Sequence, residues 1–387
     1  ASGIFVSTIH SFCVRLLRED IHKMGEGYPR NFTIVDSDDQ KSILKEAYKM
    51  YGIELKSYSY ASVLSYISAC KGEEILPEAA MSIANDFTSE KVKAQVYDYY
   101  EKRLKHMKAL DFDDLLLFTN RLLKKDKEVR AKWQHRFDYI HVDEFQDVDK
   151  IQYSIIRYLV STTCNLCVVG DPDQTIYTWR GADVNIIMNF EKDFAPVHTV
   201  MLNENYRSYP SILKGANSVI KNNKNRIDKD LYTSRTEDNK IIHYSAPEET
   251  LEPAWVCQQI NKCIQSGAAY RDVAVLYRSN YLSRLLEKQL LEARIPYRIY
   301  GGVRFYDRAE IKDALSYLRM LIHDNAAIDL ALKRIINVPK RSIGNKTVET
   351  IEEYSRFENM NMYEVIKLHD VAKGKAQGAL NDFIKLI

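Results

Sequence analysis

The chain has 387 residues, room for two or three domains, and its 45% apolar content is that of an ordinary soluble globular protein. Its 55 basic and 53 acidic residues leave a net charge of +2, which excludes a polycationic surface over the whole molecule, so any basic patch must be local. No run approaches the roughly eighteen apolar residues of a spanning helix and no signal peptide opens the sequence, so we expect a cytoplasmic protein without a membrane partner.

Ile4 to Ser7 predicts a short strand, and Thr8 or Ser11 can cap a following helix whose apolar face is Phe12, Leu16 and Leu17. His10, taken alone, reads as a capping or packing residue. From about Phe32 to Leu110 the pattern is helical and rich in tyrosine and lysine, with Ser37, Ser59 and Ser89 as caps. Tyr48, Tyr51, Tyr58, Tyr60, Tyr66, Tyr97, Tyr99 and Tyr100 interleave with lysines, as stacking platforms for bases would. Acidic residues balance the basic ones here, and tyrosine at helical spacing favours core. DFDDLL, from Asp111 to Leu116, is an N-cap cluster before a helix carrying Leu115, Leu116 and Leu122, suited to bracing or to holding a ligand.

The segment from Phe137 to Arg180 is the most informative. Two apolar runs, Tyr139 to Val142 and Leu166 to Val169, each end at a carboxylate, Asp143 and Asp171. Between them Ile151, Ile155, Tyr158 and Leu159 share one helical face, so the segment predicts a βαβ unit. Such short runs suit a parallel sheet buried on both faces, whose ligands lie beyond the carboxyl ends of the strands. Asp143, Glu144, Asp171 and Gln174 then converge on one crevice. That crevice suits phosphoryl transfer to water: Asp143 can hold a magnesium ion, Glu144 can orient the attacking water, and Gln174 can offer its amide to a terminal phosphate. Tyr177 and Trp179, two residues apart, place two rings on one side of an extended segment. The six cysteines include one CxxC, Cys164 to Cys167, without a second pair or a histidine in zinc spacing, and they read as reduced structural residues.

A second α/β region follows. Ile241 to Tyr244 and Val273 to Leu276 predict strands around a helix from about Glu252 to Ile264, and Pro296 to Tyr300 predicts another strand. The paired glycines at Gly301 make a turn before a helix with Ile311, Leu315 and Leu318 inward. From Leu330 to Thr347, Lys333, Arg334, Lys340, Arg341 and Lys346 occur without an acidic residue. This stretch reads helix, tight turn, helix, with Gly344 placed to free a helix N-terminus for a phosphate. No GxxxxGK[ST] phosphate loop occurs in the sequence, and the first residue is alanine, so we expect a piece of a longer protein.

VDEFQD followed by VVGDPDQTIYTWRGAD resembles the second and third signature motifs of the UvrD, Rep and PcrA group of superfamily-1 DNA helicases. STIHSFCVRLLR, DFDDLL, LNENYRS, VAVLYRSN, GGVRFYDRAEIKDALSYLRMLI and INVPKRSIGNKTVETI resemble further motifs of that family, in family order, from His10 to about Ile351. Ile9, Asn203 and Ser342 depart from the residues common at those places.

The resemblance implies an α/β fold of RecA-like parallel sheets, of the P-loop NTPase type, with inserted helical subdomains. Residues 1–31 and 111–203 would form domain 1A, 32–110 the helical insertion 1B, 204–300 the first part of RecA-like domain 2A, and 301–387 the opening of helical domain 2B. It implies an ATP- and magnesium-dependent helicase moving 3'-to-5' on single-stranded DNA. The implied partners are single-stranded DNA, single/double-strand junctions, and repair or replication proteins. Gln174 and Arg207 would register the γ-phosphate and Tyr206 would pack on adenine. Tyr177, Trp179 and Arg180 would hold bases. Thr8, His10, Arg278 and Asn280 would meet the strand's backbone, and Lys340, Arg341 and Gly344 the duplex. The other readings are a helicase subunit of an AddA or RecB-like nuclease and a non-hydrolysing DNA-binding module. Lacking a phosphate loop, the isolated chain is expected to be inactive.

Overall fold

A computed structural model describes residues 4–85, 88–224, 226–300, 309–322 and 328–387, with the side chains of Arg180 and Asn280 outside that description. The Gly301 turn therefore lies outside the described residues. The chain divides into two compact units, one of residues 1–200, 223–228 and 309–387, the other of residues 201–222 and 229–308.

In the first unit the order is α1 (Ile9–Asp20), β1 (Thr33–Ile34), α2 (Ser37–Tyr51), α3 (Tyr60–Gly72), α4 (Pro77–Ile83), α5 (Ser89–His106), β2 (Ala109–Leu110), α6 (Phe112–Lys125), α7 (Lys127–Gln134), β3 (Tyr139–Val142), α8 (Lys150–Leu159), β4 (Asn165–Val168), α9 (Val184–Met188) and α10 (Phe190–Asp193). Ile4 to Ser7 is not a strand; it runs unpaired with Ile4 and Val6 exposed. Thr8 caps α1 by accepting from Ser11 N–H at 3.2 Å. Phe12, Leu16 and Leu17 are buried as their spacing requires, against Leu115, Leu116, Leu122 and Trp133. Each such side chain contributes about 1.5–3 kcal/mol by leaving water.

Helices α2 to α5 form a bundle of their own. Its neck is a parallel ladder that pairs Thr33 with Ala109 and Ile34 with Leu110, bringing the two ends of the bundle together. Tyr48, Tyr97 and Tyr100 are buried in this bundle, and Tyr58, Tyr60, Tyr66 and Tyr99 pack against it. Here tyrosine is core. Two caps differ from expectation. Asp36, not Ser37, caps α2, reciprocally with Asp39, because a carboxylate one residue earlier reaches two N–H groups. Thr88, not Ser89, precedes α5 and makes no side-chain cap.

Strands β3 and β4 form the βαβ unit around α8, pairing in parallel from Tyr139 with Asn165 to Val142 with Val168. Contrary to the expectation of two buried faces, β3 alternates. Ile140 and Val142 turn inward while Tyr139 is 69% exposed. Among the described residues each strand has one ladder neighbour, so an apolar run is only half covered. Helix α8 uses two faces: Ile151, Ile155 and Leu159 join the α1–α6 core, and Ile156 meets Phe145, Ile186 and Phe190 on the other side.

The same unit holds α14 (Ala309–Leu321), α15 (Ile328–Ile335), α16 (Asn345–Glu358), α17 (Met362–Leu368) and α18 (Lys375–Leu386), packed around Met320, Leu332, Ile335, Ile351 and Phe383. Leu318, expected inward, is exposed, and Met320 takes the buried position. This bundle adjoins the α2–α5 bundle. Leu330 joins the tyrosine-rich core, and Glu46 receives Lys333, Arg103 and Arg356.

The second unit carries α11 (Pro210–Ile220), α12 (Leu251–Gln265) and α13 (Ser283–Glu292). Helix α12 falls where the sequence places it. The three predicted strands do not form. Ile241 to Tyr244, Val273 to Leu276 and Pro296 to Tyr300 lack ladder partners among the described residues, where one parallel bridge, Glu204 to Tyr232, is present. No described helix is long and apolar enough to cross a membrane. All six cysteines are free thiols.

Candidate functional site

The residues that follow β3 and β4 leave the same sheet edge, because the ladder continues one step further. Val169 N–H donates to Val142 at 2.8 Å and Phe145 N–H to Val169 at 2.9 Å. Asp143 and Glu144 sit there exposed, and Glu144 adopts a left-handed backbone at φ 51°. A non-glycine residue in that region is strained and marks a sharp reversal. It sends the chain into a 3-10 turn, Phe145–Asp147, that buries Phe145 and Gln146.

Gln146 connects the two strand ends. Its Oε1 accepts from Asp171 N–H at 3.0 Å and its Nε2 donates to Glu144 Oε2 at 2.8 Å. Asp171 in turn organises the Pro172–Gln174 turn, accepting from Asp173 N–H at 3.0 Å and from Gln174 Nε2 at 2.8 Å. Glu144, Gln146, Asp171 and Gln174 thus form one hydrogen-bonded chain. The Asp173 side chain makes a buried ion pair with Arg226 at 3.4 Å. The crevice offers oxygen donors alone, which suits magnesium. No group of three or more His, Cys, Asp or Glu able to hold a metal exists among the described residues. Asp143 offers an exposed carboxylate there, an oxygen ligand of the kind magnesium takes.

Three residues beyond Gln174 the chain presents Tyr177 and Trp179. The sequence suggested an extended segment; instead Thr178–Arg180 is a 3-10 turn, and it brings the two rings to 6.3 Å between centroids. Trp179 is 66% exposed. The turn is pinned to the start of α8: Ala182 bridges Asp149, and Asp183 N–H donates to Val148 at 3.4 Å. Asp149 caps α8 through Gln152 N–H and also faces His10. Burial holds the His10 imidazole below its usual pKa, with Asp149 partly offsetting it. The ring is therefore neutral at pH 7 and offers a hydrogen bond rather than a charge. His10 packs edge-on to Phe112 at 5.9 Å, and Phe112 is 56% exposed at the first position of α6. His10 thus lies beside Asp149, and the turn that carries Tyr177 and Trp179 is bridged to the same residue through Ala182. The contact between Phe112 and His10 has no signal in the DFDDLL cluster, because it joins residues distant in sequence.

DFDDLL itself braces. Asp111 and Asp114 form a reciprocal capping box, and buried Lys71 of α3 reaches both, at 2.8 and 2.7 Å, and Glu101 at 2.7 Å. The three carboxylates hold Lys71 charged against burial.

In the second unit Tyr206 is exposed, its hydroxyl donating to Glu204 at 2.8 Å. Arg207 is exposed, with its carbonyl accepting from Arg235 at 3.0 Å. Arg278 is exposed; Asn280 and Arg180 lie outside the described side chains.

In the α15–α16 turn Lys340 and Gly344 are exposed, and Gly344 precedes α16 without a side-chain cap. Ser342 adopts φ 60°, the left-handed conformation a glycine takes at least cost. Arg341 has a different fate from its neighbours. Its guanidinium donates to the carbonyls of Ile335, Ile336, Val338 and Pro339 and to the Tyr317 hydroxyl, which holds the turn together.

Residues 1–195 match the family model of the UvrD/REP helicase N-terminal domain, and residues 200–387 that of the UvrD-like helicase C-terminal domain. The chain is similar to the ATP-dependent DNA helicase PcrA of Staphylococcus aureus, 44% identical over all of this chain and 53% of that protein. It is also similar to its counterpart in Staphylococcus epidermidis, 45% identical over 95% of this chain and 50% of that protein. The chain spans about half the length of these relatives.

Proposed function

Because the chain belongs to the UvrD/REP helicase family, we propose that the full-length protein is an ATP-dependent DNA helicase that translocates 3'-to-5' on single-stranded DNA. The observation that carries this is the continuity of one short segment. Asp171 to Gln174 is linked to Glu144 through the Gln146 amide, and three residues later the same segment presents Tyr177 and Trp179. A group that senses phosphate and rings that hold bases then move as one piece, which is what coupling hydrolysis to translocation requires.

In this reading Asp143 holds magnesium, which supplies charge neutralisation at the phosphates, and Glu144 orients the attacking water. Gln174 exchanges Asp171 for the γ-phosphate. Arg207 and Tyr206 are assigned the γ-phosphate and the adenine ring. Trp179, Tyr177 and Phe112 stack on bases, with Thr8 and neutral His10 on the strand's backbone. Arg278 is assigned the same backbone. Lys340 and the free N-terminus at Gly344 take a duplex phosphate, while Arg341 supports them from inside the turn. The ladder between Thr33 and Ala109 supports treating residues 32–110 as an insertion in a RecA-like first domain.

Trp179→Ala tests the coupling. It should lower DNA-stimulated ATP hydrolysis about tenfold, in line with roughly 1–3 kcal/mol per stacked base, while basal hydrolysis changes little. Equal loss of both rates would contradict the reading.

A further inference from the structure

In the reading above Gln146 only links Asp171 to Glu144, yet it is 2% exposed and both ends of its amide are engaged, one at each strand end. We infer that Gln146 is a positioning residue for hydrolysis, fixing the Glu144 carboxylate against the Gly170–Asp171 turn. The inference rests on the assignment of Glu144 as the carboxylate that orients water.

Two independent features carry it. First, Glu144 is exposed on a strained turn, so its three-torsion side chain has no packing to hold it. The 2.8 Å bond from Gln146 to Oε2 fixes one oxygen and leaves Oε1 to be aimed. Second, Gly170 makes room for Gln146. Its φ lies outside the left-handed region, so backbone freedom is not the reason for glycine. A Cβ there would lie 2.7 Å from Gln146 Oε1, 2.9 Å from Ile187 Cδ1 and 3.1 Å from the Phe145 nitrogen. Glycine leaves the space in which the amide meets Asp171 N–H. One side chain therefore sets both the group that aims water and the turn that carries Gln174.

The test uses the full-length protein. Gln146→Met keeps the volume and removes the amide. It should lower kcat for ATP hydrolysis about 100-fold, the usual cost of a displaced catalytic group, with KM for ATP changed less than about threefold. Gly170→Ala should give a similar loss, and the two together no more than either alone. Gln146→Glu keeps the acceptor for Asp171 but donates to Glu144 only when protonated. Its kcat should rise relative to wild type as pH falls, a change a merely structural residue would not cause.

Wild-type kcat in Gln146→Met, a loss confined to KM, additive losses, or an unaltered pH profile in Gln146→Glu would each overturn the inference. Glu144→Gln separates the two levels. If it is inactive while Gln146→Met is unaffected, only the positioning role fails. If Glu144→Gln hydrolyses ATP normally, the underlying assignment fails too.

Discussion

The α2–α5 bundle and the second unit are built from comparably apolar sequence and end in opposite conditions. In the α2–α5 bundle Val63, Tyr100 and Leu104 are essentially inaccessible, whereas in the second unit Leu276 is 93% exposed and Ile242 70%. A helix satisfies its own backbone and needs a neighbour only for its apolar stripe. A strand needs a partner for both, and a run without one stays open. The difference teaches that local pattern suffices for helices, while an apolar β-like run states only a demand for a neighbour.

Substitutions at matched positions sharpen this contrast. The largest effect is expected at Lys71→Met, which leaves Asp111, Asp114 and Glu101 without their buried cation. Breaking such a cluster should cost about 3–5 kcal/mol, measured by chemical denaturation followed by circular dichroism. A loss under about 1 kcal/mol would mean that water enters the cluster.

Asp113 comes next. Burial, with the charge of Asp111 second, pushes its carboxyl up to about 6, against about 4 in an unfolded chain. Between those values the unfolded state releases its proton first, so stability falls as pH rises through about 4 to 6. Asp113→Asn should therefore stabilise the protein at pH 7 by about 1–3 kcal/mol, with the gain disappearing near pH 4. A gain that persists at pH 4 would contradict the assignment.

The smallest effect belongs to the second unit. Leu276→Ser should change stability by no more than about 0.5 kcal/mol, as for other exposed positions. A loss above about 1 kcal/mol would break the comparison, because it would show Leu276 covered.

These contrasts also mark what the sequence could tell. The faces of α1, α6 and α8 were legible from spacing alone, because a 3.6-residue period is local, and so was the extent of α12. So was the βαβ unit with Asp143 and Asp171 at its strand ends, since apolar runs ending in carboxylates bracket a helix there. The family resemblance supplied the assignments of Gln174 and Arg207. The contacts of Phe112, Asp149 and Gln146 were not legible. Each acquires its place from a neighbour distant in sequence: His10 for Phe112, Ala182 for Asp149, Asp171 for Gln146. The family resemblance also supplied the duplex assignment of Arg341, whose guanidinium hydrogen-bonds to carbonyls within its own turn.

The central claim is that the crevice at the ends of β3 and β4 hydrolyses ATP with Glu144 aiming the water. The most direct measurement is single-turnover ATP hydrolysis by the full-length Glu144→Gln variant in the presence of single-stranded DNA, alongside equilibrium nucleotide binding. Binding should stay near wild type while hydrolysis falls about 100-fold or more, the usual contribution of a general base. Hydrolysis within a few-fold of wild type would place the chemistry elsewhere.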